Sequence, residues 1–441
     1  MKVRTITLGA SFHFNDFNDL SLLSNKFDQI KTILYSIKTE LENEKYEVQT
    51  IRISMNSFED WLLCSENPQC NNVSIPWEGI IDTLRGELER IGVTFCSLGG
   101  CSSPWAIKLL PQLLHHCEYL HSSVRLLPYQ SNLNSTALVT NYQLALLAAE
   151  SSIQLFKKVG DFGNFRFCAS FNCPPNIPFF PVSYHHSDNS RSHVVSIGLE
   201  NGDLLFLGFA SANNDLAAAQ QNLSEVFKQV YLPVQSLVQA ACADLNAKSS
   251  SSSSSSSSSE PLVVYGGLDA SINPGLSLPD SVGLGMEHGL QFAGCPDPSD
   301  KLRWKRFGSF GTLAAVSTIT AAVKSLLADS RFKMVGYNGL MLPVMEDLVL
   351  AQRASEDPPT YSLRDLLFFS SCCGVGLDTV PVSADVTPSQ LADIYMETAA
   401  LAFRLNKPLS CRLLPMTGKA AGDLTDIPSN PYLCNTKVFH I

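Results

Sequence analysis

The sequence predicts an α/β protein in which strands and helices alternate along the chain. Its first hundred residues show strand, helix, strand, helix and strand patterns in turn. Hydrophobic residues make up 45% of the chain, which is typical of a globular protein with a sizeable core. Charged residues make up only 16%, which favours strands covered on both faces. At 441 residues we expect two domains or one large barrel-like domain.

Hydrophobic periodicity defines the elements of the first half. Residues 2–8 alternate polar and apolar side chains, as in a strand, and residues 19–44 carry apolar side chains at helical spacing. A proline-rich loop is predicted over 173–192. The other predicted elements are strands at 47–53, 94–98, 124–127, 166–170, 194–199 and 203–208, and helices at 77–90, 136–159 and 213–246.

The second half begins with a run of serines and then resumes the same alternation. Eleven consecutive serines, Ser249–Ser259, have no apolar side chain to bury, so we expect a disordered loop inserted within the domain. The predicted elements that follow are strands at 262–268, 332–335, 378–382 and 410–414, and helices at 313–327, 361–369 and 388–405.

Charge and cysteine usage exclude several classes of function. The net charge of −10 and the lack of a basic stripe argue against nucleic acid as a partner. The thirteen cysteines are odd in number and contain no CxxC pair, which favours reduced thiols in the cytoplasm over a disulfide framework. No signal peptide and no apolar run long enough for a bilayer is present, so no membrane association is predicted.

Motifs for common cofactors are absent from the sequence. It contains no Walker A loop, no GxSxG elbow, no HExxH and no GxGxxG between a strand and a helix. We therefore expect no nucleotide cofactor. A small-molecule ligand is the expected partner, and a homo-oligomer is left open.

Two segments place oxygen ligands where strands end. Asp269 and Ser271 follow one predicted strand, and Asn338, Glu346 and Asp347 follow another. Adjacent carboxylates after an apolar strand can bind a divalent cation. The equal alternative is a helix N-terminus whose acids complement the helix dipole.

Two further segments suggest a nucleophile and an anion site. Cys373 lies among glycines just before Asp378, and a thiol near a helix end can have a lowered pKa. The alternative is a buried cysteine that acts as a small hydrophobe. Residues 308–312 precede a helix and would either hold an anion or form a capping turn. His185, in the proline-rich loop, is the best-placed histidine.

Short matches in a fixed order carry a resemblance to a known family. They include Val3–Gly9, Asp269–Ser271, Gly311–Thr312, Glu346–Asp347, Cys373 with Gly376–Asp378, and Arg412 with Gly418–Lys419. The chain resembles the uncharacterised domain-of-unknown-function family 711. This chain departs from the family pattern at the serine tract and in the segment after Asp423.

The resemblance implies a fold but no assigned activity. It implies a single domain over 1–441, shaped as a ten-stranded α/β barrel similar to that of pyruvate formate-lyase. In that fold two five-stranded halves surround a central loop, and the location is cytosolic. Glycyl-radical chemistry is excluded because the C-terminal Arg-Val-x-Gly-Tyr setting that it needs is missing.

The preferred hypothesis is an enzyme that acts on a small polar, anionic metabolite inside the barrel. Cys373 would be nucleophile or general acid/base, and Asp378 or Glu346 would set its protonation. The predicted substrate-binding residues, led by two cations for the anionic group, are Arg412, Lys419, Asn338, Asp269, Ser271 and His185.

Two alternatives stay open. One is a non-catalytic ligand sensor or scaffold with the same pocket. The other is a metal-dependent hydrolase or lyase that uses Glu346, Asp347 and Asp269 as metal ligands.

Overall fold

One mixed sheet runs through almost the whole chain. The computed structural model describes residues 2–62, 76–129, 141–186, 193–210, 212, 215–252, 261–292, 305–428 and 430–441. In these residues the strands are β1 Lys2–Ala10, β2 Ile51–Met55, β3 Cys96–Cys101, β4 Leu120–Leu127, β5 Phe167–Phe171, β6 His193–Glu200, β7 Val263–Asp269, β8 Gly376–Ser383 and β9 Leu409–Met416. The helices are α1 Phe14–Asn18, α2 Leu20–Asn43, α3 Trp77–Ile91, α4 Pro104–His116, α5 Tyr142–Val159, α6 Leu204–Ala210, α7 Leu216–Ser252, α8 Val282–Phe292, α9 Thr312–Ser325, α10 Leu348–Ala354, α11 Leu363–Phe369 and α12 Pro388–Leu405.

The strand order is β7-β6-β1-β2-β3-β4-β5-β9-β8. Strands β1 to β5 are parallel to one another, whereas β6 is antiparallel to β1 and β9 is antiparallel to β5. Strand β7 is parallel to β6, and β8 is parallel to β9. The N-terminal ends of β1 to β5 therefore share one edge of the sheet with the C-terminal ends of β6 to β9.

The segment 334–343 contacts both outermost strands of the sheet, β7 and β8. Met334 and Leu340 form isolated bridges with Leu268 and Ile272, and Pro343 forms one with Asp378. These bridges do not form a continuous ladder, and the nine-stranded sheet is not closed. The α/β class is therefore confirmed, while the ten-stranded barrel is not. The strand predicted over 332–335 is reduced to the single bridge at Met334.

The helices cover the sheet because their apolar side chains lie on one face. In α2 the residues at helical spacing from Leu23 to Leu41 are buried, and the charged residues between them are mostly exposed. Each fully buried Leu or Ile contributes about 1.5–3 kcal/mol. Helix α12 begins with a capping box formed by Thr387 and Gln390.

The proline-rich loop lies on the sheet face opposite these helices. The Thr7 hydroxyl on β1 donates to the Pro178 carbonyl at 2.8 Å, and the His185 amide donates to the Met55 carbonyl on β2 at 2.9 Å. Strand β6 has Gly198 under the loop, where an added Cβ would lie 2.6 Å from the Phe179 ring. The loop contacts several strands and places its aromatic residues near the edge where β1 to β5 begin.

Two predicted elements differ from the structure. The segment predicted as a strand over 203–208 is helix α6, because a short apolar run fits either structure and packing decides between them. The serine tract was predicted as a disordered loop over 249–259, but helix α7 continues to Ser252, where Ser250 donates to the Asn246 carbonyl at 2.9 Å. The remaining serines lie outside the described residues. No helix in the described part of the chain is long and apolar enough to cross a membrane.

Candidate functional site

A cavity of about 60 Å³ lies at the sheet edge where β1 to β5 begin. At about 10–15 Å³ for each water-sized position, it holds about four to six non-hydrogen atoms. Its charged lining residues are Arg4, Arg52, Glu346, Asp378 and Arg412. The other lining residues are mostly aromatic or apolar: Phe95, His121, Phe165, Cys168, Phe179, Phe180, Pro181, Val182, Asn273, Tyr337, Met341, Val375, Ser410 and Tyr432.

A β-bulge lies at the position of Arg4. The pairing of β1 with β6 shifts between Val3 and Thr5, so Arg4 is the extra residue. A bulge changes the direction in which a side chain points. Arg4 donates to Glu200 at 2.7 Å and to Glu346 at 2.9 Å, and so joins two carboxylates.

Arg412 on β9 is fully committed to protein partners. Its Nε donates to Asp378 at 2.6 Å, one Nη donates to Glu346 at 2.7 Å, and the other donates to the Phe165 carbonyl at 3.2 Å. Burial lowers the pKa of Arg412, but the two carboxylates outweigh it and the pKa is raised. Burial raises the pKa of Glu346, and Arg412 and Arg4 oppose that rise. The result is a buried chain of alternating charges along the cavity wall.

Arg52 on β2 differs from the other two arginines. Its side chain is buried, with the residue 7% exposed, and its Nε donates to the Thr50 hydroxyl at 3.0 Å. Its guanidinium carbon lies 5.0 Å from the Phe95 ring centroid and 5.2 Å from that of Phe180. Among the described residues no carboxylate pairs with Arg52, and its Nη atoms donate no hydrogen bond. Burial lowers its pKa to about 9, and the charge of Arg4 adds to this effect.

Among the described residues, the unpaired positive charge on the cavity lining is that of Arg52. The other two lining arginines bond three carboxylates, because Arg4 contacts Glu200 and Glu346 and Arg412 contacts Glu346 and Asp378. His121 on β4 adds no positive charge, because burial holds its pKa well below the usual value and Arg166 and Arg52 reinforce this. Its Nδ1 lies 3.2 Å from the Tyr119 carbonyl, which only accepts hydrogen bonds. Nε2 of the neutral ring is thus the acceptor.

Tyr432, near the C-terminus, lies at the junction of the cavity and two outer clefts. Its ring stacks on Phe165 with centroids 6.1 Å apart and meets Phe95 edge-on at 5.9 Å. It lines the cavity and also both clefts, one beside Lys2 and one beside Arg166. The Cys434 amide anchors this segment on the Met345 carbonyl at 2.7 Å.

Three predicted site residues come together at this cavity, namely Glu346, Asp378 and Arg412. Sequence reasoning missed Arg4, Arg52 and His121. A signal was present for both arginines, because each interrupts an apolar strand, as Val-Arg-Thr-Ile and Ile-Arg-Ile. An arginine inside a strand buried on both faces has to meet a partner or line a cavity.

Three predicted substrate-binding residues instead hold a turn. The Asp269 carboxylate accepts from the Ser271 hydroxyl at 2.6 Å and from the Tyr337 amide at 2.8 Å. The Asn338 side-chain oxygen accepts from the Ala270 amide at 3.0 Å. These bonds fix the segment that bridges to β7, and the three residues do not line the cavity.

The three predicted metal ligands are not brought together. Asp347 is fully buried and caps α10, accepting from Val349 and Leu350 amides, while it also accepts from the Ser281 hydroxyl at 2.7 Å. Glu346 is bonded to arginines, and Asp269 is bonded to the turn. In the described ranges no group of three or more His, Cys, Asp or Glu side chains has metal-binding geometry.

Cys373, the predicted nucleophile or general acid/base, does not lie at the cavity. The residue is 1% exposed, packs in the hydrophobic core and does not line the cavity. Burial raises the pKa of its thiol, and the nearby Lys407 only partly opposes this. Its glycine neighbours are needed for backbone contacts, since a Cβ at Gly376 would lie 2.2 Å from the Ser410 carbonyl oxygen.

Two further predicted ligands lie elsewhere. His185 is bonded through Nδ1 to the Asn176 side chain at 3.0 Å and lies beside Gly9, near the far end of β1 from the cavity. Lys419 is half-buried in the turn after β9, where its carbonyl accepts from the Ala384 amide at 3.2 Å. The structure brings neither of them to the cavity.

Comparison with known proteins shows matches along most of the chain. Residues 1–428 match the family described as Uncharacterised ACR (DUF711). UPF0210 proteins are similar: that of Pyrobaculum arsenaticum is 28% identical over 79% of this chain and 69% of its own length. The one from Pyrobaculum islandicum is 28% identical over 70% of this chain and 61% of its own length. The one from Agathobacter rectalis is 25% identical over 97% of this chain and 88% of its own length. The chain belongs to the uncharacterised DUF711 family.

Proposed function

We propose that the cavity binds a small anionic metabolite and that the protein is an enzyme acting on it. One observation carries the proposal: Arg52 is a buried cation that faces the cavity and has no carboxylate partner in the described residues. A buried charge is costly unless it is paired. An anionic ligand in the cavity would supply the missing partner.

The neighbouring charges support an anion over a cation as ligand. Arg4 and Arg412 share Glu346 between them, so the carboxylates on the lining are already paired. The lining cation without an ion pair in the described residues is Arg52, whose guanidinium carbon lies near the rings of Phe95 and Phe180. A cationic ligand would place a second positive charge beside it.

An acid–base role for Glu346 supports an enzyme over a passive receptor. Its carboxylate lines the cavity, is buried, and has a pKa raised by burial and opposed by two guanidinium groups. A buried carboxyl group that lines a ligand cavity is a candidate general acid or base. Asp378 lies on the other side of Arg412 and completes the wall.

The experiment is a search for what binds and what disappears. Purified protein is incubated with a mixture of small metabolites, and the mixture is profiled before and after. We expect one or more small anions to be retained or consumed by the native protein, retained but not consumed by Glu346→Gln, and neither retained nor consumed by Arg52→Met.

Arg125→Met is the matched control. Arg125 also stacks on an aromatic residue of the proline-rich loop, Tyr184 at 5.5 Å, but it contacts Glu59 at 3.5 Å and does not line the cavity. This control should behave as the native protein does. Retention of only neutral or cationic compounds, or equal losses in Arg52→Met and Arg125→Met, would contradict the proposal.

We also propose that the chain forms one domain. Its segment 334–343 would stand in the position of the tenth strand of a barrel similar to that of pyruvate formate-lyase. The bridges from Met334 and Leu340 to the β7 side, and from Pro343 to β8, support this. A reducing, cytoplasmic location is consistent with ten free cysteines among the described residues.

A further inference from the structure

We infer that Arg52 holds a short monocarboxylate in the plane of its guanidinium group, through its two free Nη atoms. This inference rests on the proposed function and names the substrate class for the same site. It follows from which parts of the guanidinium group are already covered, from the size of the cavity and from its charge.

The existing contacts of the Arg52 guanidinium group leave only one of its edges free to bind a ligand. Its guanidinium carbon lies over the Phe95 and Phe180 rings, 5.0 and 5.2 Å from their centroids, and the Nε hydrogen is donated to Thr50. What remains is the edge formed by Nη1 and Nη2. That edge presents parallel N–H donors, which match the two oxygens of a planar carboxylate.

The aromatic walls favour a planar group over a tetrahedral one. A phosphate or sulfate has oxygens directed out of the guanidinium plane, and each needs a donor. The guanidinium carbon of Arg52 has the Phe95 and Phe180 ring centroids at 5.0 and 5.2 Å, and rings donate no strong hydrogen bond. A carboxylate keeps both oxygens in the plane and exposes only an apolar chain to the remaining wall.

The cavity limits both the size and the charge of the ligand. A volume of about 60 Å³ accommodates about four to six non-hydrogen atoms, the size of acetate, propionate or glycolate. Arg52 is the lining cation without an ion pair in the described residues, and one carboxylate would pair with it. A second carboxylate would face Glu346 and Asp378, whose charges oppose it.

Isothermal titration calorimetry with acetate, propionate, glycolate, succinate, octanoate, inorganic phosphate and sulfate tests the inference. We expect saturable binding of the three short monocarboxylates and at least about 10-fold weaker binding of the others. For Arg52→Met and also for Arg52→Lys we expect the affinity to fall at least about 10-fold, because lysine keeps the charge but lacks the two parallel Nη donors. Arg125→Met should bind within about twofold of the native protein, as expected for a group outside the cavity.

The outcomes separate this inference from the proposed function. If phosphate or sulfate binds more tightly than the carboxylates and requires Arg52, the cavity is an anion site but the carboxylate inference is wrong. Binding of octanoate as tight as that of acetate overturns the size limit. If no anion binds, or if binding does not depend on Arg52, both the inference and the proposed function are wrong. If Arg52→Lys binds as tightly as the native protein, the paired Nη donors are not needed and the proposed geometry is wrong.

Discussion

Replacing Arg52 with methionine should make the empty protein more stable while it removes ligand binding. The pKa of Arg52 falls from 12.5 to about 9 because of burial, so the charged side chain disfavours the folded state throughout the range below pH 9. That difference corresponds to about 5 kcal/mol at about 1.4 kcal/mol for each pH unit. Methionine forfeits two cation–π contacts, worth about 1–2 kcal/mol each. The net expectation for Arg52→Met is a gain of about 1–3 kcal/mol.

Thermal unfolding at pH 7 in a buffer without carboxylates or phosphate measures this change. We expect the melting temperature of Arg52→Met to rise and that of Arg125→Met to fall or stay the same. Adding a bound anion at 100 times its Kd should stabilise the native protein by about 2.7 kcal/mol and leave Arg52→Met unchanged. A loss of more than about 2 kcal/mol in Arg52→Met without ligand, as for a cation that already has a partner, would refute the reasoning.

Four more predictions follow from other residues. Glu346→Gln should destabilise the protein by about 3–5 kcal/mol in urea unfolding, because the buried Arg412 and the partly buried Arg4 lose a charged partner. An unchanged free energy of unfolding would contradict the chain of alternating charges. Tyr432→Ala should speed ligand association measured by stopped flow, while Tyr432→Phe should keep the native rate. Equal association rates in the native protein and both variants would exclude this residue as the barrier between the cavity and the clefts. Iodoacetamide at pH 8 should label Cys373 at least about 10-fold more slowly than the half-exposed Cys372, read peptide by peptide, because its thiol is buried and its pKa is raised. Equal labelling would instead support Cys373 as an accessible nucleophile. Asp347→Asn should lower the free energy of unfolding by about 2–3 kcal/mol in thermal unfolding, without changing the affinity for added Mg²⁺ or Mn²⁺. A loss of metal affinity at native stability would instead support a metal site.

Most elements of the fold follow from periodicity in the sequence. The helix predicted over 19–44 is α2 at Leu20–Asn43, and the helix predicted over 388–405 is α12. Both carry long amphipathic patterns and strong caps, so local and tertiary preferences agree. The short apolar run 203–208 failed because its length suits a strand or a buried helix equally well.

The candidate site was harder to predict, because it depends on which side chains the fold brings close together in space. Glu346 and Asp378 were found because they stand close to predicted strands, whereas Arg412 was found through the family resemblance. Asp269 looked the same in sequence, yet it holds a turn, since only the structure shows which carboxylates find backbone amides. Arg52 was overlooked because one arginine in a strand gives no spacing pattern.

The central claim is that a small carboxylate fills the cavity at Arg52, and a crystal structure with propionate tests it most directly. We expect the carboxylate oxygens at about 2.7–2.9 Å from Nη1 and Nη2 of Arg52, with the ligand chain directed away from Arg52 into the cavity and the Arg4–Glu346–Arg412 contacts unchanged. A cavity that contains only water at saturating propionate, or an Arg52 side chain turned onto a carboxylate of the protein itself, would contradict the account.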